Sequence, residues 1–329
     1  MTRRVCFFVE GLQPEALERI EFYAQDVQIL KDAGFEIDFV FKARQLRPAD
    51  LYFVWWWTWA LAPIMYAKAL RRTVIVTGVL DINYYQERPW WHQAGMRRAF
   101  ALADANVFTS ELEYRELPRL FTVRNPTYIP LTVDGSRYSP TGTRSDNLVC
   151  TVGWLQNPNA TRKCLVEVMH AAALVHEQRP DVRFVIAGAK GTFADEAGAL
   201  VRQLGAESYI ELPGAISREE KIRLMQECTV YLQPTRYEGF GLAILEAMSC
   251  AAPIVTSPRG AVPEVVGDTA VFVDGTSPTS IADGLTRYLQ SPALRETMGQ
   301  RARERAIERF QYAQRRDRMI PLIEKLMNG

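Results

Sequence analysis

Short apolar runs alternate with longer amphipathic segments along this chain, the pattern of strand–helix units built around parallel sheets. In the first half, residues 5–9, 36–41, 50–55, 74–77 and 106–109 predict strands, and a short one near 128–130 closes the set. Helical spacing fills the gaps, clearest from Ala16 to Ala33, where Gly34 is a stop signal. Residues 136–147, "SRYSPTGTRSDN", lose hydrophobic periodicity and are rich in turn formers, so they read as a linker. The alternation then restarts. Residues 148–152, 184–187, 209–212, 230–233, 254–256 and 271–273 predict a second set of strands, and 278–289 a further helix. From Ala293 the tail reads as helix with a break near Gln311.

Two α/β sheets of this kind fit a chain of 329 residues, which exceeds the usual size of one core. Two doubly wound sheets joined by one linker place a cleft beside their strand carboxyl ends, where open sheets bind ligands. A net charge of +1 gives no support to a nucleic-acid partner. The five cysteines are scattered and odd in number, without metal-ligand spacing, and read as buried thiols of a reducing compartment. Cys164 follows a basic pair and is either a reactive thiol or a packed helix cysteine, the second being favoured. The start "MTRRVCFFVEGL" has the charge of a signal peptide, but its apolar run stops at Glu10, and a first strand is the better reading. The most apolar stretch, 51–66, contains Pro63 and is too short to span a bilayer. These features together predict a cytoplasmic protein.

The candidate chemistry concentrates in "PTRYEGFGLAILEAMSCAAPIVTS", residues 234–257. Glu238 and Glu246 stand seven residues apart across a turn carrying Gly239 and Gly241. Glycines there let backbone approach a ligand, and a helix from about Leu242 would point free N–H groups at an anion. Hydroxyls at both ends and phosphates between, as in a nucleotide sugar, would suit that arrangement. A glycine turn before a buried helix fits the same residues. Upstream, "TRKCL" follows the strand at 148–152, placing Arg162 and Lys163 in or beside the first turn of a helix that begins near Ala160. They are either a fixed pair of phosphate-neutralising cations or ordinary surface charges.

The 234–257 segment resembles the donor-binding signature of the retaining family 4 glycosyltransferases, enzymes of the GT-B fold. The resemblance runs through "YIPLTVDGSRYSP", "TVGWL", "DVRFVIAG", "YIELPGAIS" and "AVPEVVGDTAVFVD", most of the C-terminal half in the family's order. It implies an acceptor-side domain over 1–140, a nucleotide-sugar-binding domain over 147–305, and a last helix, 306–329, crossing back to the first domain. It also implies a metal-independent hexosyl transfer from a UDP- or GDP-sugar, with no further cofactor. Arg162 and Lys163 would hold the pyrophosphate beside Gly153 and Trp154. Glu246 would accept the ribose hydroxyls. Glu238 would position the transferred sugar, with backbone N–H groups around Gly239, Phe240, Gly241 and Leu242, and would not act as a covalent nucleophile.

The chain departs from the family at three places. Trp154 stands where an arginine is common, Leu80 in "TGVLDIN" where a histidine is common, and the first loop has only Gly11 in place of paired glycines. Asp81, next to Leu80, is either a sugar- or acceptor-orienting carboxylate or a helix-capping one. Six tryptophans, Trp55, Trp56, Trp57, Trp59, Trp90 and Trp91, fall in the first half near Lys68, Arg71, Arg72, Arg97 and Arg98. They finish and pack a buried strand, or they form a surface for a membrane or a sugar. If exposed, they favour a lipid-linked or envelope glycan acceptor at the inner face of the membrane. His92, His170 and His176 offer no obvious base. Two other readings stand beside the transferase: an epimerase or phosphorylase on the same scaffold, and a catalytically silent nucleotide-sugar or glycan binder.

Overall fold

The computed structural model describes residues 3–15, 17 and 20–328, without the side chains of residues 83 and 84. The expected helix start at Ala16 lies outside the described residues. The chain divides into two compact units, Met1–Thr132 with Tyr312–Gly329, and Val133–Gln311.

The first unit carries strands β1 (Arg3–Phe8), β2 (Phe35–Val40), β3 (Leu51–Trp55), β4 (Thr73–Gly78), β5 (Ala105–Phe108) and β6 (Pro126–Tyr128). They form one parallel sheet in the order β2-β1-β3-β4-β5-β6. Helices α1 (Glu21–Asp32), α2 (Leu61–Ala69), α3 (Ile82–Gln86), α4 (Trp90–Leu102) and α5 (Glu111–Leu120) connect them. Because helices cover both faces, the central strands are largely apolar and every residue of β3 is buried, whereas β1 opens with exposed Arg3 and Arg4 and edge strand β2 carries exposed Glu36. The core is aromatic. Phe7 stacks on Phe53 at 5.7 Å, and Trp57 lies 5.0 Å from Phe100 and 5.2 Å from Phe108. The Trp57 indole donates to Asn106 Oδ1 at 2.8 Å, which answers the polar cost of burying it.

The six tryptophans therefore separate. Trp55 and Trp57 belong to the core, whereas Trp59, Trp90 and Trp91 are 44%, 75% and 57% exposed. Strand order reverses between β1 and β3, which makes the loops after them the crevice of this sheet. Trp56 begins the second of those loops with a left-handed φ of 77° and donates to the Tyr23 hydroxyl at 2.7 Å.

The second unit repeats the plan with β7 (Leu148–Val152), β8 (Arg183–Ala187), β9 (Ile210–Gly214), β10 (Val230–Gln233), β11 (Ile254–Thr256) and β12 (Ala270–Phe272). Its helices are α6 (Asn159–Arg162), α7 (Leu165–Gln178), α8 (Ala194–Gln203), α9 (Arg218–Glu227), α10 (Leu242–Ser249), α11 (Val262–Val266), α12 (Pro278–Leu289) and α13 (Pro292–Arg309). The parallel order β12-β11-β10-β7-β8-β9 reverses between β7 and β10. That point is where a doubly wound sheet binds its ligand. Residues 136–147 are tied to this unit: Arg144 donates to the Cys250 carbonyl at 2.8 Å and Thr229 Oγ1 to that of Ser145 at 2.7 Å. All five cysteines are free and buried, and burial pushes the Cys164 thiol up to about 11, which suits packing and not reactivity.

The chain leaves the second unit at Gln311 and ends as α14 (Tyr312–Asn328), which packs on α1 in the first. Its anchor is Arg315, fully buried. Nε and Nη2 fork onto the two oxygens of Asp26 at 2.8 and 3.0 Å, and Nη1 reaches the carbonyls of Ile129 and Pro130. Among the described residues no helix is long and apolar enough to cross a membrane.

Removing one partner of a buried pair strands the other's charge, which costs about 3–5 kcal/mol. Arg315→Met is expected to lose that much stability in denaturant unfolding. The double variant Arg315→Met/Asp26→Leu is expected to recover most of it; equal losses in both would mean that the pair is not what holds α14.

Candidate donor site at the switch point of the second sheet

At the end of β7 the chain passes Gly153 and Trp154, makes the single turn α6, and breaks at Cys164 with a left-handed φ of 52° before α7. Arg162 thus ends the single turn and Lys163 sits directly beside it, at a kink between two helices. The kink sends its side chain back into the unit, where Nζ donates to the Val152 carbonyl and to Gln233 Oε1, each at 3.0 Å. Gly153 makes the room: a Cβ there would lie 2.8 Å from Lys163 Cδ. Burial holds the Lys163 ammonium down to about 8; Glu238 and Glu246 oppose that shift, and Arg162 adds to it.

Beyond β10 the loop to α10 carries Glu238. Its Oε2 accepts from Arg162 Nη1 at 2.9 Å and from Gln233 Nε2 at 3.1 Å. Gln233 is the hinge of this network, since its amide oxygen faces Lys163 and the Tyr231 hydroxyl while its nitrogen faces the carboxylate. Burial alone would push Glu238 up, but Arg162 and Lys163 outweigh it, with help from the Gly239 N–H, and hold the carboxyl below its usual range. Arg162 is fixed in turn by the Tyr237 carbonyl and Asn159 Oδ1, both at 2.8 Å.

The loop's path depends on contacts that the sequence pattern gave no reason to expect. Gly260, at φ 59°, lies so close that a Cβ would meet the Glu238 carbonyl oxygen at 2.2 Å, and the Ala261 N–H donates to that oxygen at 2.8 Å. Gly241, at φ 95°, opens α10 directly before Leu242. Phe240 turns inward and packs edge-on against Phe310 at 5.8 Å. Its side chain anchors the loop, leaving only backbone to meet a ligand.

Glu246, on α10, is buried. Its Oε1 accepts from Lys221 Nζ at 2.7 Å and from the Tyr138 hydroxyl at 3.0 Å. The structure thus brings Gly153, Arg162, Lys163 and Glu238–Gly241 together, and adds Gln233, Lys221, Tyr138 and Gly260. Tyr138 lay within "SRYSP", but nothing in the spacing paired it with Glu246. Trp154 is exposed beside the cluster, with its carbonyl accepting from Asn159 Nδ2 at 3.1 Å. Asp81 belongs to the first unit and directly precedes α3, where its carbonyl accepts the Tyr85 N–H at 2.9 Å. Leu80, buried, donates its N–H to Glu113 at 2.9 Å.

Cations and carboxylates thus assemble at the switch point of a doubly wound sheet, where such sheets bind ligands. Residues 145–305 match the family glycosyl transferases group 1. Solved structures show that the fold is GT-B. Sucrose-phosphate synthase from Thermosynechococcus elongatus superposes with a TM-score of 0.82 at 17% identity over 99% of both chains. HepE from Anabaena, in complex with UDP and glucose, gives 0.79 at 16% identity over 98% of this chain and 100% of that one. In sequence, the chain is similar to MMP alpha-(1->4)-mannosyltransferase from Mycolicibacterium hassiacum, 26% identical over 72% of this chain. That match spans 60% of the relative's own length.

Gly260→Ala is expected to lower the melting temperature well beyond the control Gly205→Ala, which has a similar φ of 62° but open space around it. The control carries only the left-handed penalty of about 1–2 kcal/mol. Equal shifts would show that the Glu238 loop yields to the added methyl.

Proposed function

We propose that this chain is a retaining glycosyltransferase that moves a hexosyl group from a nucleotide sugar to a hydroxyl acceptor without a metal ion. The observation that carries the reading is the Arg162–Glu238–Gln233–Lys163 network at the β7/β10 switch point. The UDP and glucose bound by HepE support a UDP-sugar, with a GDP-sugar as the alternative.

In this reading the pyrophosphate lies against Arg162 and Lys163, with the backbone N–H groups of residues 239–242 near the sugar. As the bond from the anomeric carbon to phosphate oxygen breaks, negative charge grows on the leaving phosphate, and the two fixed cations stabilise it. Glu238 is ionised and already bound by Arg162, so it is a poor nucleophile and no proton donor. It steadies the positive charge that develops on the sugar ring. The acceptor hydroxyl attacks from the leaving-group face and passes its proton to the departing phosphate oxygen, which preserves the anomeric configuration. Glu246 accepts from the ribose and Trp154 borders the donor, while Asp81, just past β4, serves the acceptor on the first unit.

For the acceptor we infer a glycan or lipid-linked alcohol, reached from the cytoplasmic face of a membrane. Exposed Trp59, Trp90 and Trp91 support this. They lie in one chain of ring contacts through His92, and Arg88 reaches the same histidine at 3.5 Å. Indoles beside arginines suit the headgroup layer of an anionic bilayer.

Nucleotide release from a panel of UDP-, GDP-, ADP- and dTDP-sugars tests the donor reading. One donor is expected to turn over, and Glu238→Ala and Lys163→Ala to lower its rate by about 10²–10³-fold. Because Lys163 must keep its proton to hold pyrophosphate, kcat/KM for the donor is expected to stay level below about pH 8 and to fall above it. Lys163→Arg would remove that fall. No binding of any nucleotide by calorimetry would end the transferase reading. Separately, the protein is expected to float with vesicles containing phosphatidylglycerol and not with pure phosphatidylcholine. Trp90→Ala/Trp91→Ala should abolish flotation, and wild-type protein that stays unbound on both would exclude the membrane contact.

A further inference from the structure

The two carboxylates of the cluster are held alike. Glu238 gives one oxygen to a cation and a neutral donor, Arg162 and Gln233. Glu246 likewise gives Oε1 to Lys221 and to the Tyr138 hydroxyl. Among the described residues its other oxygen, Oε2, accepts no hydrogen bond. An ionised carboxylate offers about four acceptor directions, so the protein fills one side of Glu246 and leaves the other.

Both partners are themselves fixed. Lys221 follows a capping box in which the Glu220 N–H donates to Ser217 Oγ at 3.1 Å and the Ser217 N–H to Glu220 Oε2 at 2.7 Å. That box pins the first turn of α9 and presents Lys221 toward α10. The Tyr138 carbonyl accepts from Ser249 Oγ at 2.6 Å and from Arg303 Nη1 at 3.2 Å, which holds the residue that carries the hydroxyl. The ammonium of Lys221 lies 5.2 Å from the centre of the Tyr138 ring, so the three groups form one compact assembly. Glu246 is buried, and Lys221 is the cation that touches it.

We propose that Lys221 is a positioning residue for the donor: it holds Glu246 turned so that Oε2 meets the ribose hydroxyls. The proposal rests on the nucleotide-sugar reading above. The ribose is remote from the bond that breaks, so its grip is the same in the bound donor and in the transition state. Loss of that grip appears in KM and leaves kcat alone.

Steady-state kinetics with the donor found above test this. Lys221→Met is expected to raise donor KM about tenfold with kcat within about twofold, as for loss of one charge-assisted contact. Lys221→Arg should restore most of it, and Tyr138→Phe should cost less, about threefold. The nucleoside diphosphate and its 2′,3′-dideoxy form separate positioning from packing. Wild type should bind the dideoxy form more weakly, and Lys221→Met should bind it no worse than wild type does. Unchanged donor KM in Lys221→Met overturns the proposal, as does a penalty that persists with the dideoxy ligand. If Lys221→Met does not fold, Lys221→Gln is read in the same way. A wild-type protein that binds no nucleotide overturns this proposal and the donor reading together, whereas normal binding with an indifferent Lys221 overturns this one alone.

Discussion

A lysine ammonium taken out of water must find acceptors within the protein, because the cost of leaving it bare is several kcal/mol. Much of the second unit's local build follows from meeting that demand at Lys163. The left-handed break at Cys164 turns the side chain inward, and Gly153 clears the space it crosses. The Val152 carbonyl lies at the end of β7 and is free to accept because the strand stops there. Gln233 supplies the second acceptor from β10, so the ammonium bridges the two strands between which the sheet order reverses. The charge is thereby held at the switch point, at a pKa low enough for solution pH to act on it.

The sequence revealed the central strands through their apolar runs, since strands such as β3 and β10 are buried on both faces, whereas edge strand β2 mixes Glu36 and Asp38 into its run. It could not reveal their order, since nothing local distinguishes the neighbour on one side from that on the other. Both switch points, and hence the reason the site lies between β7 and β10, came only with the sheet. The glutamates and the basic pair were legible through spacing and family resemblance. Their partners were not: Gln233 sits in a run that reads as core, and Lys221 and Tyr138 reach Glu246 from 25 and 108 residues away. "WWWTW" was ambiguous for a different reason. The end of a buried strand and the start of a single helical turn share those five residues, so burial changes from one indole to the next with no change in composition.

Two buried ion pairs in this chain use the same chemistry to opposite ends, and donor accounting separates them. Arg315 has five N–H groups, and four are answered inside the first unit by Asp26 and two carbonyls. With the pair fully enclosed, nothing remains for a ligand, and its effect is confined to fixing α14. Arg162 donates three of its five, to Glu238, Tyr237 and Asn159, and its side chain is 29% exposed. Lys163 donates two of three.

The arrangement at Arg162 and Lys163 is stable without ligand because each cation already has an anion or carbonyl to lean on. It remains unfinished because each keeps donors in reserve. The same inequality holds for the acceptors, since Glu246 commits one oxygen and keeps the other. A ligand that completes this set needs an anion for the spare donors and a hydroxyl for the spare oxygen. A phosphorylated ligand with free hydroxyls, such as the nucleotide sugar proposed for this site, meets both requirements.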